Sequence, residues 1–127
     1  MEGKRRRALN LRSGLKNKIN KIKHKKMPQT ISLCMITKNE EAFLEQCLNS
    51  VKNIIDEIVI VDTGSTDNTK NIAKKFNAKI FNFKWIDDFS AAKNESLKHA
   101  TKQWILVLDA DEVIEKKDLK KIKNTIE

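Results

Sequence analysis

Apolar and polar residues alternate in blocks from residue 30 onward, and the blocks differ in their period. Short apolar runs at residues 31–36, 57–62, 78–83 and 103–109 predict four strands. Residues 40–52, 65–76, 88–100 and 115–127 read as helices, the first with a face formed by Phe43, Leu44, Cys47, Leu48 and Val51. Strands that alternate with helices predict an α/β fold with a mostly parallel four-stranded sheet and helices on both faces.

Each predicted strand is followed by a polar segment. These segments are “TKNEE” (37–41), “DTGSTDNT” (62–69), “KWIDDFSAAKN” (84–94) and “DADE” (109–112). Taken singly, each is also explained by capping and turn chemistry, with Asn39, Asp67 and Asp88 as helix N-caps and Gly64 in a turn. Because open parallel sheets bind ligands at the carboxyl ends of their strands, the four segments together predict a binding crevice.

Charge divides the chain into two parts. Residues 1–27 carry eleven Lys and Arg but only one acidic residue, whereas the remaining residues carry fifteen basic and sixteen acidic side chains. We therefore expect a basic extension at residues 1–28 and one nearly neutral domain at residues 29–127. Leu11, Leu15, Ile19 and Ile22 recur at close to helical spacing within the extension. One interpretation is a basic amphipathic helix that binds an anionic membrane surface or nucleic acid. The interpretation that we favour is a solvated, partly disordered leader or a helix that packs on a partner.

The remaining composition narrows the class of protein. No apolar run approaches the roughly 20 residues that a membrane-spanning helix needs, and no apolar segment follows the basic N-terminus as in a secretory signal. The two cysteines, Cys34 and Cys47, have no metal-type spacing and are expected to be reduced. These features predict a cytoplasmic protein, with peripheral contact at the inner membrane face if the basic extension binds lipid.

The predicted crevice lacks the usual means of binding phosphate. Neither G-x-x-x-x-G-K-[ST] nor G-x-G-x-x-G occurs, and Gly64 is the only glycine after residue 14. A phosphate group would then need a cation held by carboxylates. Asp109 and Asp111, two residues apart just past a strand, could present oxygens to a hard divalent ion. Two carboxylates alone are equally explained by a solvated turn.

Four segments together carry a family resemblance. “ISLCMITKNEEAFLEQCLNSV”, “EIVIVDTGSTDNT”, “KWIDDFSAAKNESL” and “WILVLDADE” strongly resemble the N-terminal half of family 2 glycosyltransferases, from about Thr30 to about Ile114. The resemblance implies the Rossmann-like GT-A fold and transfer of a sugar, of hexosyltransferase type, from a nucleotide diphospho-sugar with inversion. A UDP-sugar is the expected donor. The motifs are most similar to a bacterial subgroup acting on polypeptides and lipopolysaccharide core.

The resemblance also implies roles for individual residues. Thr37, Asn39 and Glu40 match the segment that lies against the nucleotide, Asp62 matches a residue that contacts uracil or ribose, and Lys93 matches a basic position near the nucleotide. Many members have a second Asp where this chain has Thr63, which departs from the pattern.

Asp109 and Asp111 match the family's D-x-D motif. In the family the second Asp ligates Mn²⁺ or Mg²⁺ bound to the diphosphate, and Asp109 is expected close to the metal, the ribose and the donor sugar. The family's catalytic base, an Asp or Glu, lies well beyond this motif, so we expect it outside these 127 residues. The chain is therefore predicted to be a truncated donor-binding half with an unknown acceptor and an exposed sheet edge that promotes self-association.

Several residues are not assigned to the site. Glu112 is predicted to start a helix, His99 to lie at the surface or in packing, and Trp85 and Trp104 to pack, although Trp85 could also stack on a sugar. An alternative function is a non-catalytic interaction protein on a relic glycosyltransferase scaffold, with the basic extension binding membrane or nucleic acid. A nucleotidyltransferase is less consistent, because “TKNEE” is not a Gly-rich basic loop.

Overall fold

The computed structural model describes residues 7–10 and 29–127. The elements in chain order are β1 (Arg7–Asn10), β2 (Ile31–Thr37), α1 (Leu44–Val51), β3 (Glu57–Asp62), α2 (Thr69–Lys75), β4 (Lys79–Asn82), α3 (Phe89–His99), β5 (Trp104–Val107) and α4 (Lys116–Ile126). The strands form one parallel sheet in the order β1-β5-β2-β3-β4. The α/β fold, its four predicted strands and its four predicted helices are thus confirmed.

β1 adds a fifth strand that the apolar pattern does not predict. Residues 7–10 pair in register with residues 104–107, so β5 has a neighbour on both sides. The edge strands of the described sheet are therefore β1 and β4. The rest of the extension, including the predicted helix with Leu11, Leu15, Ile19 and Ile22, lies outside the described residues and stays a prediction.

The hydrophobic core lies mainly on one face of the sheet. Alternate residues of the central strands, such as Leu33, Ile60 and Leu106, point toward α1, α2 and α4 and are buried. The other face carries a smaller cluster around Cys34, Val59 and Ile105, covered by α3. Because β3 is buried on both faces, its sequence is a continuous apolar run and does not alternate between apolar and polar residues.

The connections reverse direction at β2. The chain runs from β2 through α1 to β3 and through α2 to β4, and then returns through α3 to place β5 on the opposite side of β2. This reversal leaves a crevice between the carboxyl ends of β2 and β5, the point where α/β sheets bind ligands.

At the amino ends of the strands, opposite the crevice, one buried carboxylate joins several elements by hydrogen bonds. Glu57 accepts hydrogen bonds from Lys79 Nζ (2.7 Å), the Thr101 backbone N–H (2.8 Å) and hydroxyl (2.9 Å), and the Ser32 hydroxyl. Burial by itself would raise the pKa of Glu57, but these hydrogen bonds outweigh it and lower the pKa to about 2. Three strands and the segment before β5 are therefore joined through one charged group.

The helices follow the predicted faces with one exception. Leu44, Cys47, Leu48 and Val51 of α1 are buried, but Phe43 precedes the helix and is 51% exposed. Asp88 is the N-cap of α3, as the alternative reading of its segment predicts, and accepts a hydrogen bond from the Ala91 backbone N–H at 3.1 Å. Within the described part of the chain, no helix has the length and apolar character required to span a bilayer.

Candidate functional site

A cleft of about 590 Å³ opens at the carboxyl edge of the sheet, between the ends of β2 and β5. Its volume lies within the range of small-molecule sites, roughly 300–1,000 Å³. Three strand ends and the segment leading into α3 supply its lining residues, which are Ile36, Thr37, Lys38, Glu40, Thr63, Trp85, Phe89, Asp109, Ala110 and Asp111. Four predicted site residues thus meet in one cleft, whereas Asn39, Asp62 and Lys93 do not line it.

Asp62 fixes the loop after β3 instead of facing the cleft. It is 1% exposed, and its Oδ1 accepts hydrogen bonds from the hydroxyls of Thr37 (2.8 Å) and Ser65 (2.6 Å). Its Oδ2 accepts from the backbone N–H groups of Gly64 (3.1 Å) and Ser65 (2.8 Å). Burial would raise the pKa of Asp62, but these hydrogen bonds outweigh it and lower the pKa. A carboxylate offers about four lone-pair sites, so its predicted nucleotide contact would compete with four existing donors.

Asn39 ties the loop after β2 to the loop after β3. Its backbone is left-handed at φ 53°, which Asn tolerates better than most residues. Its N–H donates to the Ser65 hydroxyl at 2.8 Å, and its side-chain oxygen accepts from the Thr66 N–H at 2.8 Å. The Glu40 N–H donates to the Thr69 hydroxyl at 2.8 Å. Asn39 therefore shapes the cleft wall without lining it.

The D-x-D residues lie on a tight turn after β5. The Asp109 N–H donates to Glu112 Oε1 at 2.7 Å, and the Glu112 N–H donates back to the Asp109 carbonyl at 3.0 Å. Ala110 is buried between the two aspartates, and the Cys47 thiol donates to the Asp109 carbonyl at 3.6 Å. The prediction that Glu112 starts a helix is wrong, because α4 begins at Lys116 and Glu112 closes this turn instead.

The cleft concentrates negative charge. Burial raises the pKa of Glu40, and the nearby carboxylates of Asp111 and Asp67 raise it further. Within the described residues, no group of three or more His, Cys, Asp or Glu side chains is arranged to hold a metal ion. Mg²⁺, however, is often held by only one or two carboxylates together with substrate phosphates. Asp109 and Asp111 on one turn, facing an excess of negative charge, fit a divalent ion of that kind.

Lys93 lies on the α3 side of the sheet. It lines a second cavity of about 100 Å³ together with Phe89, Ser96, Val107 and Asp109. Asp109 borders both cavities, so Lys93 lies near the D-x-D turn on the α3 side. The structure thus brings Lys93 near one predicted site residue but not into the main cleft.

Six residues that line the cleft are not among the predicted site residues, although stacking of a sugar on Trp85 was considered: Ile36, Lys38, Thr63, Trp85, Phe89 and Ala110. Trp85 is 41% exposed and Phe89 58% exposed, which differs from the predicted packing role of Trp85. The signal for Lys38, Thr63 and Trp85 was position rather than residue type, because each lies within two residues of the end of a predicted strand. Phe89 instead falls inside the predicted third helix. Trp104, by contrast, is 2% exposed and packs as predicted.

Comparison with known proteins assigns the chain to a family. The family model described as “Glycosyl transferase family 2” matches residues 32–127. The chain belongs to glycosyl transferase family 2. The predicted family resemblance is therefore confirmed, and the cleft with its D-x-D turn lies within the matched residues.

Curated relatives include much longer proteins. A TPR repeat-containing protein of Synechococcus elongatus is 52% identical over 82 residues, which are 65% of this chain and 20% of that protein. The SPbeta prophage-derived glycosyltransferase SunS of Bacillus subtilis is 41% identical over 95 residues, 73% of this chain and 22% of that protein. The chain thus spans only about a fifth of the length of these two relatives.

Solved structures share the fold of the family domain. TarS of S. aureus matches with a TM-score of 0.65 and 29% identity, over 76% of this chain and 32% of that one. Glucosyl-3-phosphoglycerate synthase of Mycobacterium tuberculosis, solved with Mn²⁺ and UDP-glucose, matches with a TM-score of 0.58 and 25% identity, over 67% of this chain and 34% of that one. TarS has also been solved with UDP. The order of the four predicted strands corresponds to the N-terminal portion of the GT-A fold.

Proposed function

We propose that this chain binds the nucleotide diphospho-sugar donor of an inverting glycosyltransferase, with a UDP-sugar as donor and a hexose as the transferred group. The observation that carries the proposal is the meeting of Asp109 and Asp111 with Thr37 and Glu40 in one cleft at the switch point of the sheet. The solved neighbours that contain UDP and UDP-glucose support it.

Asp111, with Asp109 beside it, would hold a Mn²⁺ or Mg²⁺ ion against the diphosphate of the donor. Such an ion supplies Lewis-acid stabilisation of the negative charge that develops on the leaving diphosphate. Three carboxylates line the cleft, namely Glu40, Asp109 and Asp111. Lys38 offsets only one of these charges, so without a metal ion the cleft would still repel a diphosphate, and it offers no Gly-rich loop to compensate. The proposed donor therefore requires a metal for binding as well as for chemistry.

The residues of the chain have separate tasks in this scheme. The D-x-D turn, closed by Glu112, orients Asp109 and Asp111. Lys93 adds positive charge on the α3 side of the turn, near the expected position of the developing charge. Transfer with inversion also requires a base that deprotonates the acceptor, and we assign that role to none of the cleft carboxylates because they serve the donor.

Isothermal titration calorimetry with UDP tests the proposal. We expect saturable binding in the presence of Mn²⁺ or Mg²⁺ and no measurable binding after chelation with EDTA. Asp111→Ala should abolish the metal-dependent binding, because Asp111 is the expected ligand. Asp118→Asn is a matched control, since Asp118 lies on α4 and does not line the cleft.

Two results would count against the proposal. One is the absence of UDP binding by the intact chain at millimolar UDP and metal. The other is equal UDP affinity for the intact chain and Asp111→Ala, which would mean that any bound nucleotide sits elsewhere.

A further inference from the structure

The cleft has one apolar wall that the proposed donor chemistry does not use. Trp85, Ile86 and Phe89 are all large and exposed, by 41%, 57% and 58%, and they lie close together in sequence, after β4 and at the first residue of α3. Two of them, Trp85 and Phe89, line the same cleft as the D-x-D turn, and Phe89 but not Trp85 also borders the smaller cavity beside Asp109. Exposed aromatic side chains that line a cleft are suited to contact a flat ligand group.

Polar groups at the end of β3 are already engaged in hydrogen bonds within the protein. All four acceptor sites of Asp62 are used, and the Thr63 hydroxyl donates to the Thr37 carbonyl at 3.1 Å. The indole N–H of Trp85 donates to Asp87 Oδ1 at 2.9 Å. A ligand group on this side would therefore gain more from contact with an aromatic surface than from hydrogen bonds.

The position of Trp85 relative to the D-x-D turn selects which part of a nucleotide it meets. The turn follows β5, whereas Trp85 follows β4, and Thr63, which lines the same cleft, follows β3. Adjacent strands lie about 4.8 Å apart, so the ends of β5 and β3 are separated by roughly 10 Å. With the diphosphate at the D-x-D turn, a nucleotide directed toward β3 places its base, one ribose away, on the side of Trp85.

The loop is built to hold the indole in place. Asp87 adopts a left-handed backbone conformation at φ 58°, which brings its carboxylate back to the Trp85 N–H two residues earlier. Asp tolerates this conformation better than most residues. The hydrogen bond restrains an exposed side chain that would otherwise sample several rotamers.

We propose that Trp85 is the stacking platform for the nucleobase of the donor, and that Asp87 positions it. The inference rests on the proposed function, because it takes the diphosphate at the D-x-D turn as its reference point. Stacking of a base on an aromatic side chain depends on the aromatic surface, so phenylalanine should replace Trp85 far better than leucine or alanine does.

The experiment measures UDP binding by calorimetry, with Mn²⁺, for Trp85→Ala, Trp85→Leu and Trp85→Phe. We expect Trp85→Ala and Trp85→Leu to weaken UDP binding by about 5- to 150-fold, the range of base stacking on aromatic residues, and Trp85→Phe to stay within about 3-fold of the intact chain. Trp85→Leu is the matched control for apolar contact, since it retains a large side chain without an aromatic ring.

Fluorescence provides an independent readout, because the chain has only two tryptophans. Trp104 is buried at the other end of β5 and bonds Gln29 through its indole N–H, so it should not respond to a ligand in the cleft. UDP should quench the intact chain, and Trp85→Phe, which keeps only Trp104, should lose this quenching. UDP-glucose should quench no more than UDP, since the base is common to both.

Specific outcomes overturn the inference. Equal UDP affinity for Trp85→Leu, Trp85→Ala and the intact chain, with binding still lost in Asp111→Ala, would refute base stacking and leave the proposed function intact. Quenching by UDP-glucose but not by UDP would assign Trp85 to the sugar. Failure of the intact chain to bind UDP at all would overturn both the inference and the function on which it rests.

Discussion

Substitution of Glu57 by glutamine preserves the shape of the side chain and removes its charge. Glu57 is a buried group at the amino end of the sheet, with a side chain 3% exposed, and it accepts hydrogen bonds from Lys79, Thr101 and Ser32. In Glu57→Gln an amide NH₂ group, which cannot accept a hydrogen bond, replaces one of the two oxygens that accept from Lys79, Thr101 and Ser32. The variant therefore loses charge-assisted hydrogen bonds and leaves at least one donor without its partner.

The expected loss of stability follows from the pKa of Glu57. Its ordinary value of 4.5 falls to about 2 in the folded chain. Each pKa unit corresponds to about 1.4 kcal/mol, so ionised Glu57 contributes roughly 3 kcal/mol to the free energy of unfolding at neutral pH. Because the folded-state pKa is depressed, this contribution is fully present above the unfolded pKa of about 4.5. It is lost as the pH falls toward 2.

Urea denaturation followed by circular dichroism measures this contribution. We expect Glu57→Gln to be about 3 kcal/mol less stable than the intact chain at pH 7, and the difference to shrink between pH 4.5 and pH 2. Other carboxylates titrate in both proteins and largely cancel in the difference. Glu115→Gln is the control, since Glu115 has a side chain 68% exposed in a surface pair with Lys117 and should change stability by less than about 1 kcal/mol. A difference below 1 kcal/mol at pH 7, or one that stays constant down to pH 3, would refute the reasoning.

Two further predictions concern the candidate site. Asp62→Asn should lower the free energy of unfolding by about 2–3 kcal/mol in the same assay, because an amide cannot accept all four hydrogen bonds of the carboxylate; a loss equal to that of Asp118→Asn would contradict this. Cys34 and Cys47 should resist a thiol reagent such as DTNB at pH 8 in the folded chain and react fully in urea, because both are buried and burial, with Glu112 and Asp111 nearby, raises the pKa of Cys47 to about 12. Rapid reaction of either thiol in the native state would show that the core or the D-x-D turn opens readily.

Much of the fold could be predicted from hydrophobic periodicity, and the exceptions have physical causes. Leu44, Leu48 and Val51 follow the helical period and are buried as expected. Phe43 fits the same period but lies before the first helical residue, where the backbone no longer presents it to the core. β1 escaped prediction because “RALN” belongs to a basic run and is stabilised by pairing with β5, a long-range contact that local sequence does not encode.

The sequence predicted where the candidate site lies, at the strand ends, but not the hydrogen bonds that its residues make. Glu40, Asp109 and Asp111 meet in the cleft because parallel strands end at one edge, which the alternation of elements already implied. The role of Asp62 in loop structure could not be predicted, since it depends on which hydroxyl and N–H groups the folded loops bring to its oxygens. The roles of the other predicted site residues in ligand binding stay predictions.

The hydrogen bonds between the loops after β2 and β3 have a consequence for the entropy of ligand binding. Immobilising a flexible side chain on association costs roughly 0.5–1.5 kcal/mol. Side chains such as Asn39 and Ser65 are already held in place by hydrogen bonds in the folded chain. Ligand binding therefore does not have to immobilise them. In the segment after β4, Ile86 and Phe89 are exposed and retain more rotamer freedom, whereas the hydrogen bond to Asp87 already restrains Trp85. Affinity can therefore change through substitutions in the segment between β4 and α3 with little effect on the stability of the fold.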